Sequence, residues 1–120
     1  MFTDISEKLC QFGSLKEGWD SYHGAPISDN AILNAHMFLC EVVKTNFFER
    51  PVVSPEPNGG VLLKWRDNGR EFLVWFTSHT KHFVYVKVSR GIRTGGKTES
   101  LDKLFEIFKK WIVEIQLRKT

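Results

Sequence analysis

Apolar positions along this chain follow two different periods, and the changes between them divide it into three parts. Ile5, Leu9 and Phe12 keep the three-to-four spacing of one helical face. Asp4 and Glu7, three residues apart, have the form of a capping box that starts this helix. Gly13-Ser14 ends or bends it, and Gly18 stops any further turn carried by Leu15 to Glu17. A second helix is predicted after Ser28, a residue suited to an N-cap, with Asp29 favourably placed in the first turn. Its stripe is Ile32, Ala35, Leu39, Val42 and Val43, widened by Met37 and Cys40, and Asn46 is its predicted stop.

Past Phe47 and Phe48 the helical period disappears. Pro51, Pro55 and Pro57 exclude a helix and leave an extended path, with a short edge strand predicted at Val52-Val53 before the turn Asn58-Gly59-Gly60. Three strands follow, Val61 to Arg66, Glu71 to Thr77 and Lys81 to Ser89, rich in β-branched and aromatic residues. Their connectors, Asp67-Asn68-Gly69-Arg70 and Ser78-His79-Thr80, are of hairpin length, which makes the strands antiparallel and sequentially adjacent. Alternation groups Val61, Leu63 and Trp65 on one face, with Phe72, Val74 and Phe76, and sets Val84, Val86 and Val88 against Phe83, Tyr85 and Lys87. Leu62, Lys64, Arg66, Leu73 and Trp75 make the other face mixed, and a mixed face is the natural place for a binding surface.

The helical period returns after Ser100, a cap for a last helix whose stripe is Leu101, Leu104, Phe105, Phe108, Trp111, Ile112 and Ile115. Ile107, Val113 and Leu117 fall outside it, which points to a second contact or a homo-oligomer interface. The expected fold is α+β in a single domain of residues 1–120. It has two N-terminal helices, a three-stranded or four-stranded antiparallel meander, and a C-terminal helix packed on one sheet face.

Between the first two helices lies Gly18-Trp19-Asp20-Ser21-Tyr22-His23-Gly24-Ala25-Pro26-Ile27-Ser28, a turn-rich connector that reads as a clamp. Trp19 and Tyr22 are expected to bury apolar area, and Asp20 to accept backbone N–H bonds in an Asx turn.

Composition narrows the class. Aliphatic and aromatic residues make up 42% and charged residues 26%, as in a soluble globular chain. The start, Met1-Phe2-Thr3-Asp4-Ile5-Ser6-Glu7, lacks a basic stretch before an apolar run, and no window approaches the roughly 18 apolar residues of a membrane span. A cytoplasmic protein without a membrane partner is expected. Cys10 and Cys40 lack CxxC spacing and are expected to be buried free thiols. Charge is uneven: residues 1–60 carry four Lys or Arg against eight Asp or Glu, and residues 61–120 thirteen against six. A basic half invites an anionic partner.

The order Gly18-Trp19-Asp20-Ser21-Tyr22-x-x-Ala25-Pro26-Ile27, then Ala31 and Ala35, then Pro51-Val52-Val53-x-Pro55 and Gly59-Gly60-Val61-x-Leu63-x-Trp65 resembles a group of small bacterial and phage proteins. Their shared pattern is roughly WDGYGAxPI followed by PxVxPxxDGGxxLxW. The likeness covers residues 15–77, and the chain departs from it at Ser21, His23 and Asn58. No activity carries over residue by residue. The resemblance implies a context, accessory genes and mobile elements, in which some such proteins bind and modulate another protein as inhibitors, antitoxins or anti-CRISPR-like factors.

Gly91-Ile92-Arg93-Thr94-Gly95-Gly96-Lys97-Thr98 matches the phosphate-loop expression GxxxxGK[ST]. A nucleotidase of that kind needs a parallel sheet and a later acidic magnesium ligand, whereas here one helix follows. The other readings are looser anion binding by Arg90, Arg93 and Lys97, and a plain strand-to-helix loop. His79 and His82 have a metal-like spacing without a third ligand; His36 stands alone in a helix; Asp20 and His23 have no nucleophile beside them; Ser21 lacks elbow glycines. No catalytic set, metal or cofactor is expected.

Trp65, Trp75, Phe83 and Tyr85, interleaved with Lys64, Arg66, Lys81 and Lys87, follow the ring-and-cation arrangement of single-stranded nucleic-acid binders. The main expectation is a non-enzymatic module that binds another protein or a protein–nucleic-acid complex. Its anchors would be Arg66, Trp75, Tyr85, Arg90 and Arg93, with Lys97 as a further cation, and direct nucleic-acid binding is the alternative.

Overall fold

The computed structural model describes residues 3–45, 47, 49–77 and 82–119, with side chains as far as 115. Predictions that fall on Asn46, Phe48, Ser78, His79, Thr80, Lys81 and the Leu117 side chain lie outside the described residues.

Helix α1 (Thr3–Phe12) buries Ile5, Leu9 and Phe12, as their spacing predicts. It begins before the expected cap. Asp4 therefore sits inside the first turn, where its carboxylate accepts a hydrogen bond from Arg50 Nη2. Gly13 N–H bonds back to Cys10 O at 3.1 Å and Leu15 N–H to Phe12 O at 3.1 Å, a tightened final turn that closes the helix at Gly13-Ser14.

Helix α2 (Asp29–Val43) starts at Ser28, whose hydroxyl accepts the Ala31 N–H at 3.4 Å. Its buried stripe is Ala31, Ala35, Phe38, Leu39 and Val42, a rotation from the predicted one. Phe38 takes the inward position, and Met37 and Cys40 turn to solvent. Both cysteines are exposed, which corrects the expectation of buried thiols. Cys10 Sγ lies 3.8 Å from His36 Nε2 on the outer surface of the α1–α2 pair.

Five strands, not three or four, form one antiparallel sheet in sequence order: β1 (Val52–Pro55), β2 (Val61–Asp67), β3 (Arg70–Phe76), β4 (Phe83–Ser89) and β5 (Ile92–Thr98). The predicted edge strand at Val52-Val53 is β1. The β2–β3 loop places Asn68 and Gly69 at φ 50° and 77°, and the β4–β5 loop places Arg90 and Gly91 at 53° and 79°. Positive φ at both central residues makes each a type I′ hairpin turn, whose twist matches the flanking strands.

Helix α3 (Leu101–Lys119) starts at Ser100, whose hydroxyl accepts the Lys103 N–H at 3.4 Å. It buries Leu104, Phe108, Trp111, Ile112 and Ile115. The apolar stripes of all three helices meet one sheet face in one core, with α2 over β2 and β3 and α3 over β4 and β5. Phe108 is its hub, with ring centroids 4.7 Å from Trp65, 5.1 Å from Phe72 and 5.4 Å from Phe38. The opposite sheet face carries no helix among the described residues. None of the described helices is long and apolar enough to cross a membrane.

The connector ties the helices to the sheet. Trp19 Nε1 donates to Ala25 O at 2.7 Å, while Ala25 N–H bonds to Pro57 O and Ser28 N–H to Gly59 O, each at 2.8 Å. Asp20 Oδ1 accepts the Tyr22 N–H at 3.0 Å and the Gly24 N–H at 2.9 Å, the predicted Asx turn. The bond from Tyr22, with that from Gly24, holds the Asp20 carboxyl below its ordinary value of 3.8 against the opposing effect of desolvation. Trp19 is half-buried against the core, but Tyr22 is 82% exposed and does not share in the clamp.

Candidate interaction surface

The helix-free face is read directly from the strand register. Across β2, β3, β4 and β5 its rows are Leu62, Trp75, Val84, Lys97; then Lys64, Leu73, Val86, Gly95; then Arg66, Glu71, Val88, Arg93. Across these four strands apolar residues occupy the middle and cations the margins, and beyond Lys64 and Leu62 the edge strand β1 adds Val52 and Ser54 to the same face. Leu62, Leu73, Trp75, Val84, Val86 and Val88 are all half-buried, shielded by neighbours on the twisted sheet and not by a covering element.

Two interactions fix the polar groups. Trp75 Nε1 donates to Glu56 Oε1 at 3.1 Å, which holds the indole in place. Glu71 Oε1 takes Arg66 Nε at 2.7 Å and lies 3.7 Å from Lys64 Nζ, so one carboxylate is shared by two cations. Arg93 and Lys97 are exposed and form no ion pair among the described residues.

Of the predicted anchors, Arg66, Trp75, Arg93 and Lys97 share this face. Tyr85 does not. Its ring lies on the helix side, parallel to Phe72 at 6.1 Å between centroids, and Phe83 and Trp65 are buried on that side too. The aromatic platform expected of a nucleic-acid binder is thus divided between two faces, leaving Trp75 as the one ring among the described residues of the open side. Arg90 stands in the β4–β5 turn, and Lys87 alternates onto the helix side.

The phosphate-loop match is a turn and a strand. Ile92 to Thr98 pair residue by residue with β4, so no ring of convergent N–H groups forms there. The two glycines have a packing reason. A Cβ on Gly95 would sit 2.5 Å from Tyr85 O, and one on Gly96 would sit 2.8 Å from the Tyr85 hydroxyl. The signal for this strand was present as alternation, Ile92 and Thr94 against Arg93 and Lys97, after the Arg90-Gly91 turn.

Sequence reading also missed a cleft of about 480 Å³ between the β4–β5 hairpin and α3, where Arg70, Lys87 and Arg90 converge. Two acids offset these cations: Glu114, 3.9 Å from buried Arg70, and Asp67, opposite Arg70 in the ladder. Among the described residues no cluster of three or more His, Cys, Asp or Glu is placed to hold a metal ion. No family model matches the chain, nor does any curated protein or solved structure.

Proposed function

We propose that this chain is a non-enzymatic interaction module that modulates a partner protein by occupying one of its surfaces, and that the helix-free sheet face is the side that docks. One observation carries the reading. Six half-buried apolar side chains form a continuous surface with no covering element among the described residues, and Lys64, Arg66, Arg93 and Lys97 stand around it. Trp75 is a suitable central anchor, because its bond to Glu56 removes rotamer freedom before the partner arrives. The cationic margin favours a partner whose facing rim is acidic.

Affinity capture from the native host, compared between wild type, Trp75→Glu and Lys110→Glu, tests this reading. A protein recovered stoichiometrically with wild type and with Lys110→Glu, on the helix side, but lost with Trp75→Glu is the expected result. Capture that ignores Trp75→Glu overturns it.

Four cations beside one tryptophan also support a second reading, single-stranded nucleic acid on the same face. A titration against an oligonucleotide separates the two, since phosphate binding weakens steeply as salt rises.

A further inference from the structure

The two edges of the sheet differ in length and in chemistry. Strand β1 spans four residues and ends at Pro55, with Pro51 and Pro57 close on either side, so little of it can pair with another strand. Strand β5 spans seven residues without a proline, and Ile92 to Lys97 are all exposed. The two-residue Arg90-Gly91 loop closes on the hydrogen-bonded pair Ser89 and Ile92. Alternation from that pair directs the N–H and C=O groups of Thr94, Gly96 and Thr98 to β4, and those of Arg93, Gly95 and Lys97 outward.

Charge narrows what can pair there. Arg90, Arg93 and Lys97 are the charged residues from 90 to 98, and the segment itself holds no acid. A second copy pairing antiparallel about Gly95 would set Arg93 directly opposite Lys97 twice. Registers centred on Arg93 or on Lys97 would set that cation opposite itself. Like charges directly opposite destabilise a ladder, so the edge disfavours its own copy in these registers, whereas registers centred on Thr94 or Gly96 set Arg93 opposite Gly95 or Glu99 and are decided by the test below. On the other side of the strand the exposed side chains are those of Ile92, 68% accessible, and Thr94.

We propose that β5 is a strand-addition site for an extended segment of a partner protein in which acidic residues alternate with β-branched apolar ones. The acids stand beside Arg93 and Lys97 on the helix-free face, and the apolar residues lie beside Ile92 and Thr94. The proposal rests on the reading of the chain as an interaction module and names how the partner engages it.

The test uses the full chain and a capped heptapeptide alternating Glu and Val. Calorimetry measures affinity, and amide NMR locates the site. Binding should slow hydrogen exchange at the outward amides of Arg93, Gly95 and Lys97, and Arg93→Glu with Lys97→Glu should weaken it by about tenfold or more. A peptide of Lys and Val, or one N-methylated at the amides that face β5, should not bind. The proposal is overturned by three results: no shift at millimolar peptide, equal binding of the N-methylated peptide, or β5 occupied by a second copy in sedimentation and NMR. Its failure is separable from that of the face reading. Trp75→Glu abolishing capture while the peptide ignores β5 defeats only the edge. Peptide protection of β5 with capture indifferent to Trp75→Glu defeats only the face.

Discussion

Strands β2 and β3 present two faces built from alternate residues of the same fourteen positions. On one face Val61, Leu63, Trp65, Phe72, Val74 and Phe76 are wholly removed from solvent. On the other, Leu62, Lys64, Leu73 and Trp75 are only half-buried. Alternation gives both faces an apolar middle, so periodicity alone does not say which one the helices cover. Charge does. Lys64, Arg66 and Glu71 would each have to lose hydration under a helix, whereas the covered positions of β2 and β3 hold no charge until Asp67 and Arg70 at the end of the hairpin.

The contrast breaks if the covered face proves unimportant. Phe108→Ala empties the hub between α3, α2 and the sheet, and urea unfolding should show a loss of about 3–5 kcal/mol. A loss below about 1 kcal/mol would mean that α3 is not seated on the face that buries Trp65 and Phe72. Trp19→Ala tests the tether that holds the helical layer beside the β1–β2 turn. Trp19 is half-buried and bonded to Ala25 O, so the cost should be smaller, about 2–3 kcal/mol in the same assay. An unchanged midpoint would show that the connector does not clamp the helices to the sheet.

Much of this arrangement was legible in the sequence because short connectors and period-two runs leave little choice. Asn68-Gly69 fixed the β2–β3 hairpin, the proline cluster isolated β1, and the α3 stripe named the residues that it buries. The α2 stripe was right at Ala35, Leu39 and Val42 and missed Ala31 and Phe38, since Phe38 and Met37 are both apolar and only the packed volume of the core selects between them. Strand β5 was hidden for another reason. Three glycines and three cations from Arg90 to Thr98 lower the strand signal and complete a phosphate-loop expression, yet Gly91 is a turn residue at positive φ, and Gly95 and Gly96 are there because Tyr85 leaves no room for a Cβ. Of the candidate site, Arg66, Trp75, Arg93 and Lys97 stand on one face, though the last two were expected in a loop, and Tyr85 stands on the other because its face depends on a register that composition does not show.

Gly95→Ala converts that explanation into a measurement. The added methyl meets the Tyr85 carbonyl oxygen, a backbone atom that cannot swing away. Strand β5 must shift, at a cost of about 2 kcal/mol by urea unfolding. A strand-to-helix loop would accept the same change with almost no loss, so a neutral result would return residues 91–98 to the loop reading.

The finest test compares isosteric changes on adjacent strands but opposite faces. Val74→Thr places a hydroxyl under the helices, in a position wholly removed from solvent, and should cost about 1–3 kcal/mol. Val86→Thr places the same hydroxyl beside Leu73 on the open face, where water can satisfy it, and should cost less than about 0.5 kcal/mol. The difference between the two free energies, measured by urea unfolding at low protein concentration, reports the presence or absence of a cover over the second face. Equal costs would mean that the face is already occupied in solution. Repeating the measurement across a range of concentrations would then show whether a second copy of the chain is the occupant, because only that cover would leave as the protein is diluted.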